Sequence, residues 1–187
     1  MLNPSTYPEL NALKLDQNKP LLICDADEVI FDFMTNFEKY LGSLELSFSW
    51  KSYALDGNIL DSRKKPVDKK EIQNIINNFF RINTETMSLI KGAKVSLQNL
   101  SITYNIIILS NIPFEFYENR ALALKKNDIN FSFYANKGYK GNTVKILSEK
   151  HTKKSWFIDD SPYQIKSVKS TKYDVKTILF ISNFKLK

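Results

Sequence analysis

The chain has 187 residues, 43% of them hydrophobic and 25% charged, with a formal net charge of +7. Those proportions are of an ordinary globular protein, and they exclude a disordered, fibrous or membrane-spanning chain; the length suits one domain with a sizeable core and a small insertion, not two full domains. The positive charge invites a nucleic-acid reading, but the basic residues are nearly all scattered lysines and only three arginines, Arg63, Arg81 and Arg120, could make bidentate phosphate or base contacts, so nucleic acid is not the expected partner.

In chain order, the apolar run Leu21 to Cys24 reads as a buried strand. Phe33 to Leu41 has helical apolar spacing and is expected to stop at Gly42, and the stretch from Ser43 to Pro66 reads as irregular. Lys69 to Arg81 places Ile72, Ile75, Ile76, Phe79 and Phe80 on one helical face. A short helix over Val95 to Leu100 precedes a strand over Tyr104 to Leu109. A helix over Glu115 to Lys126, a strand over Phe131 to Tyr134, a helix over Thr143 to Lys150 and a strand over Trp156 to Ile158 follow. Asp160-Ser161-Pro162 opens a helix through Val168, and Val175 to Ile181 closes the series as a strand. Such alternation predicts an α/β fold with a mainly parallel sheet and helical crossovers.

Phe33 to Ile90 separates the first strand from the next by about 60 residues, far more than a crossover helix needs. It is expected to be an insertion, and its aromatic residues argue against disorder. The longest apolar run, Ile106 to Leu109, cannot cross a bilayer. The start Met1-Leu2-Asn3-Pro4-Ser5 lacks a basic and apolar leader pattern, so the cytoplasm is the expected compartment. Lone Cys24 reads as a buried, inert thiol, and lone His151 as a solvated residue at a helix end.

Strand ends are where α/β sheets bind ligands. Asp25 and Asp27 follow the first strand, Ser110 and Asn111 the second, and Asp159 and Asp160 the strand over Trp156 to Ile158. The turn from Asn136 to Gly141 offers Lys137 and Lys140. Each cluster alone reads as a cap or turn. Together they converge on one lip, and four carboxylates there imply a compensating cation. All-oxygen ligands with no His or Cys cluster favour Mg2+ over zinc.

The set resembles the haloacid dehalogenase-like (HAD) phosphohydrolases, whose four motifs it matches in order from about Leu21 to Ile181. The resemblance implies a Rossmann-like three-layer sandwich around a five-stranded sheet, formed by residues 1–32 and 91–187, with residues 33–90 as a small, mostly helical cap of the first type. It implies that Asp25 attacks phosphorus and that Asp27 serves as general acid, then base. Ser110, Asn111 and a lysine would bind the phosphate, Lys140 being preferred over Lys137 because Lys140-Gly141 precedes the last crossover helix. Mg2+ would be held by Asp25, the carbonyl of Asp27 and Asp160, with Asp159 acting through water, an assignment in which the last two could be swapped.

The implied reaction is hydrolysis of a phosphate monoester of a small metabolite through an aspartyl-phosphate. A nucleotidase or phosphomutase of the same superfamily is the alternative, and a non-catalytic phosphate-binding module or a basic nucleic-acid-associated protein the reading from another class. An acid at Asp27 favours phosphate esters over carbon–halogen bonds. Glu28 stands where the superfamily often has glycine, which loosens the link to subfamilies with Asp-Gly there. Asp159-Asp160-Ser161-Pro162 is also similar to a motif of protein phosphatases, but the insertion would obstruct a protein substrate. Cap side chains such as Trp50, Tyr53 and Asn58 are expected to select the substrate.

Overall fold

A computed structural model describes residue 10, residues 12–52, 54–172 and 174–183, and residue 185. Five strands, β1 (Leu21–Cys24), β4 (Asn105–Ser110), β5 (Ser132–Ala135), β6 (Ser155–Asp159) and β7 (Lys176–Leu179), form one sheet in the order β5-β4-β1-β6-β7. Every pairing in it is parallel. A parallel sheet covered on both faces has strands that are apolar throughout, and β1 is buried along its whole length.

Alternate residues of the strands feed two separate cores. Leu22, Cys24, Ile106, Ile108 and Phe133 join one cluster, whereas Leu21, Ile23, Ile107, Leu109, Tyr134 and Phe157 join the other. This period of two is the pleat expressed as packing. Helices α5 (Gly141–Glu149) and α6 (Pro162–Thr171) cover the second face through Val144, Leu147, Ile165 and Val168. The first face lies under α3 (Ala93–Ser101) and α4 (Tyr117–Lys126), so the sheet is the middle of three layers. A short 3-10 turn, Phe114–Phe116, precedes α4 where the sequence reads as one helix from Glu115.

Residues 33–90 contain α1 (Phe33–Ser43), α2 (Lys69–Asn83) and a two-stranded antiparallel hairpin, β2 (Ser47–Phe48) with β3 (Ile59–Leu60). The hairpin lies in the stretch expected to be irregular, its strands too short to print a period. Helix α1 runs through Gly42, and the chain turns instead at Glu45, which takes the left-handed conformation at φ 57. Asp32 and Asp68 cap α1 and α2, accepting from Thr35 N at 3.3 Å and from Lys70 N at 2.8 Å. Phe37, Phe79 and Phe80 belong to the same apolar cluster as β4, and Phe80 stacks on Phe116 with ring centroids 6.1 Å apart.

His151 is buried, contrary to the solvated place expected for it, because the turn after α5 folds in just before β6. It sits at the end of the sheet opposite the C-terminal lip. Cys24 is buried as expected, and burial pushes its thiol pKa up. Among the described residues no helix is long and apolar enough to cross a membrane.

Candidate active site

Neighbouring parallel strands in register end at one level. Cys24 pairs with Ile108 on one side and Ile158 on the other. Asp25 just past β1, Ser110 at the end of β4, Asp159 at the end of β6 and Asp160 just past it therefore share the lip. Asp25 N still donates to Ile158 O at 2.9 Å, so the nucleophile candidate is held by the ladder itself. Its Oδ1 accepts from Ala26 N at 2.7 Å.

Lys140 decides the electrostatics. Its Nζ, 1% exposed, lies 2.6 Å from Asp25 Oδ1 and 2.7 Å from Asp159 Oδ2. Burial alone would lower the pKa of this ammonium, but the two carboxylates outweigh it and hold the group charged. The loop around it is fixed by Gln164, whose Oε1 accepts from Lys140 N at 2.8 Å. Lys137 is exposed, so of the two Lys-Gly dipeptides only the second brings its ammonium into the site.

Carboxylate oxygens of Asp25, Asp159 and Asp160 all lie within 4.8 Å of one another. Burial is the first cause that raises the Asp25 carboxyl to about 7; Lys140 opposes it, and the charges of Asp159 and Asp27 add to it. Burial, then the charges of Asp25 and Asp159, push Asp160 up to about 9. One lysine thus leaves this acidic group under-compensated, and an all-oxygen set of this span fits a hard divalent cation. Asp159 is already engaged at both oxygens, with Lys140 and with Ser161 N at 2.9 Å. Asp160 accepts no hydrogen bond among the described residues, which makes it the freer ligand.

The Asp27 side chain stands apart from that group. Its Oδ1 accepts from Arg120 Nη2 at 2.7 Å, and Ser110 Oγ lies 3.5 Å from Oδ2. Arg120 comes from α4 and is fully buried. Nothing in its local sequence marks it, because a lone arginine on a helix reads as a solvated side chain; only the company of Tyr117, Ala121 and Leu124 hints that this face packs inward. Asn111, expected at the phosphate, turns its amide to the neighbouring loop, donating to Gly138 O at 2.9 Å and accepting from Asn136 Nδ2 at 2.8 Å.

Glu28 takes the left-handed conformation at φ 58, which explains the glycine often found at that point of the resemblance. Here the strained residue has a use: buried Oε1 accepts from Met34 N at 2.6 Å and Oε2 from Ser182 Oγ at 2.7 Å. Of the side chains expected to select substrate, Asn58 is buried and donates to Ala54 O at 2.8 Å, while Trp50 Nε1 donates to Glu38 Oε1 at 2.6 Å. Both shape the loop around them. Tyr53 lies outside the described residues.

Neither a protein-family model nor a curated protein matches the sequence. Solved structures do. A haloacid dehalogenase-like hydrolase from Streptococcus pneumoniae superimposes with a TM-score of 0.61 at 12% identity, over 91% of this chain and 90% of that one. The chain has the haloacid dehalogenase-like fold. A magnesium-bound HAD hydrolase from Bacillus subtilis gives 0.55 at 14% identity, covering 86% and 87%. A candidate phosphoglycolate phosphatase from Lactobacillus plantarum gives 0.56 at 11%, covering 86% and 85%. In this HAD-like fold the lip with Asp25 is the C-terminal edge of the central strand.

Proposed function

We propose that the protein is a Mg2+-dependent phosphatase that hydrolyses a phosphate monoester of a small metabolite through an aspartyl-phosphate. The observation that carries this reading is Asp25, buried against Lys140 and within 4.8 Å of two further carboxylates, with a second acid, Asp27, two residues on. The HAD-like fold supports it. Bound at Asp25, Asp160 and the Asp27 carbonyl, Mg2+ would neutralise the carboxylates and the phosphoryl charge.

The chain's own residues account for the rest. Asp25 Oδ forms a bond to phosphorus as the ester oxygen leaves with its electron pair, and Asp27 gives that oxygen its proton. Asp27, now a carboxylate, takes a proton from water as the water oxygen bonds to phosphorus and the Asp25 O–P bond breaks. The Lys140 ammonium and the Ser110 hydroxyl would stabilise charge on the transferring oxygens.

A small substrate fits the spaces beside the lip. One cavity of about 440 Å3 is lined by Ser52, Ala54, Asp160, Pro162, Tyr163 and Ile181. Another, of about 430 Å3, lies between Gln73 and Asn77 of α2 and the loops carrying Asn111 and Gly138. Both combine residues of 33–90 with residues of the strand ends, as a cap over the site would, and both have metabolite dimensions. In the test, Asp25→Asn abolishes hydrolysis of p-nitrophenyl phosphate in the presence of Mg2+, whereas Asp27→Asn forms the phosphoenzyme and accumulates it. Wild-type turnover by Asp25→Asn would end the proposal.

A further inference from the structure

Arg120 is the largest fully buried side chain among the described residues. Its Nη2 pairs with Asp27 Oδ1 at 2.7 Å, and its Cζ lies 4.2 Å above the Phe31 ring. Nε and Nη1 are buried without a hydrogen-bond partner among the described residues. A charged group so placed costs stability that an apolar side chain of similar shape would not, so its presence asks for another reason.

The loop it grips supplies one. Phe31 N donates to Ala26 O at 2.8 Å and Glu28 N to Phe31 O at 2.8 Å, so Asp27 and Phe31 belong to one closed turn. Arg120 therefore holds that turn twice, by its ring and by its carboxylate. The arginine is 0% exposed and the Asp27 side chain 22%, so of this pair it is the aspartate that opens on the lip. With Oδ1 fixed on Arg120, Oδ2, 3.5 Å from Ser110 Oγ, is the oxygen left for proton transfer.

We infer that Arg120 is a positioning residue for Asp27: it anchors one carboxylate oxygen so that the other takes the proton of the water that hydrolyses the aspartyl-phosphate. The inference rests on the phosphatase reading. In the breakdown step water's oxygen bonds to phosphorus, the Asp25 O–P bond breaks with its electrons returning to Asp25, and the proton goes to Asp27 Oδ2. Formation of the phosphoenzyme from an ester with a good leaving group needs no acid, so only breakdown should depend on Arg120.

Quenched-flow kinetics with p-nitrophenyl phosphate and Mg2+ separates the two steps. Arg120→Met keeps the burst of p-nitrophenol within about twofold of wild type and slows steady-state breakdown about a hundredfold, the range of a lost general base. Arg120→Lys, which keeps a charge, recovers about tenfold of it by the same reasoning. In the Asp27→Asn background, Arg120→Met changes breakdown no further, because the arginine acts only through that carboxylate. A purely structural arginine would lower burst and steady state in equal proportion and would subtract again in the double variant; either result overturns the inference, as does unchanged breakdown in Arg120→Met. Absence of any phosphoenzyme in the wild-type protein overturns the phosphatase reading and this inference with it, whereas a normal wild-type burst beside an indifferent Arg120→Met overturns this inference alone.

Discussion

A lysine ammonium with 1% exposure has to be compensated where it lies, and Asp25 and Asp159 do so at 2.6 and 2.7 Å. Removing it leaves two buried carboxylates facing each other without a counter-charge. Lys140→Met should lower stability by about 3 kcal/mol in the metal-free protein, read by chemical denaturation. It should also cut kcat by about a hundredfold, as loss of a charge stabiliser does. Lys137→Ala should leave stability within the error of the assay, since that side chain is exposed. Both lysines precede a glycine in one turn, and Lys140 was preferred for its place ahead of the last crossover helix; its burial against β6 was not legible. Asp25, Asp27, Ser110, Asp159 and Asp160 were legible because each follows an apolar run. Arg120 was not, since its pairing spans 93 positions of sequence.

Between elements, α5 meets α6 at close quarters at Gly141. A Cβ on Gly141 would lie 2.6 Å from Ser167 O and 2.7 Å from Ser167 Oγ, so only glycine lets the helices meet. Because Lys140 immediately precedes it, any shift of α5 moves the ammonium off Asp25. Gly141→Ala should therefore destabilise by about 2 kcal/mol and lower kcat in the same variant, seen by paired thermal melts and p-nitrophenyl phosphate assays. Gln164→Leu, which removes the acceptor for Lys140 N, should lower kcat with a smaller loss of stability. The helices and strands around this contact were read from the sequence to within a few residues, because their apolar periods are long. The β2–β3 hairpin escaped for the opposite reason, since two-residue strands carry no period, and Gly42 misled because its φ stays helical while Glu45 makes the turn.

For the whole molecule, the acidic cluster couples stability to pH and, on the proposed function, to metal. Asp25 is raised to about 7 and Asp160 to about 9, so the folded protein binds protons that the unfolded chain has released. Their contribution is fully present below the ordinary carboxylate range near 4 and is lost as pH rises through about 7 and then 9. With EDTA present, this cluster should make the protein less stable at pH 8.5 than at pH 5.5. The proposed Mg2+ would compete with those protons, so its stabilising effect should be several degrees larger at pH 8.5 than at pH 5.5, measured as a shift in Tm. Equal shifts at the two pH values would separate metal binding from these carboxylates. The α/β class with a mainly parallel sheet was legible from the alternation of elements and the three layers from the resemblance, whereas the order of strands is set by long-range pairing that no local pattern records.

Strand β1 has partners on both sides, β4 and β6, and contributes to both apolar clusters. Its amides should therefore exchange with deuterium only through global unfolding, whereas the edge strand β7, mostly exposed, should exchange through local opening. The residue proposed to carry the phosphoryl group is thus rooted in the last part of the molecule to melt. Partial opening at the sheet edge or around 33–90 can admit and release ligands while the reacting carboxylate stays in register, so substrate preference can drift in the outer parts without eroding the chemistry at the centre.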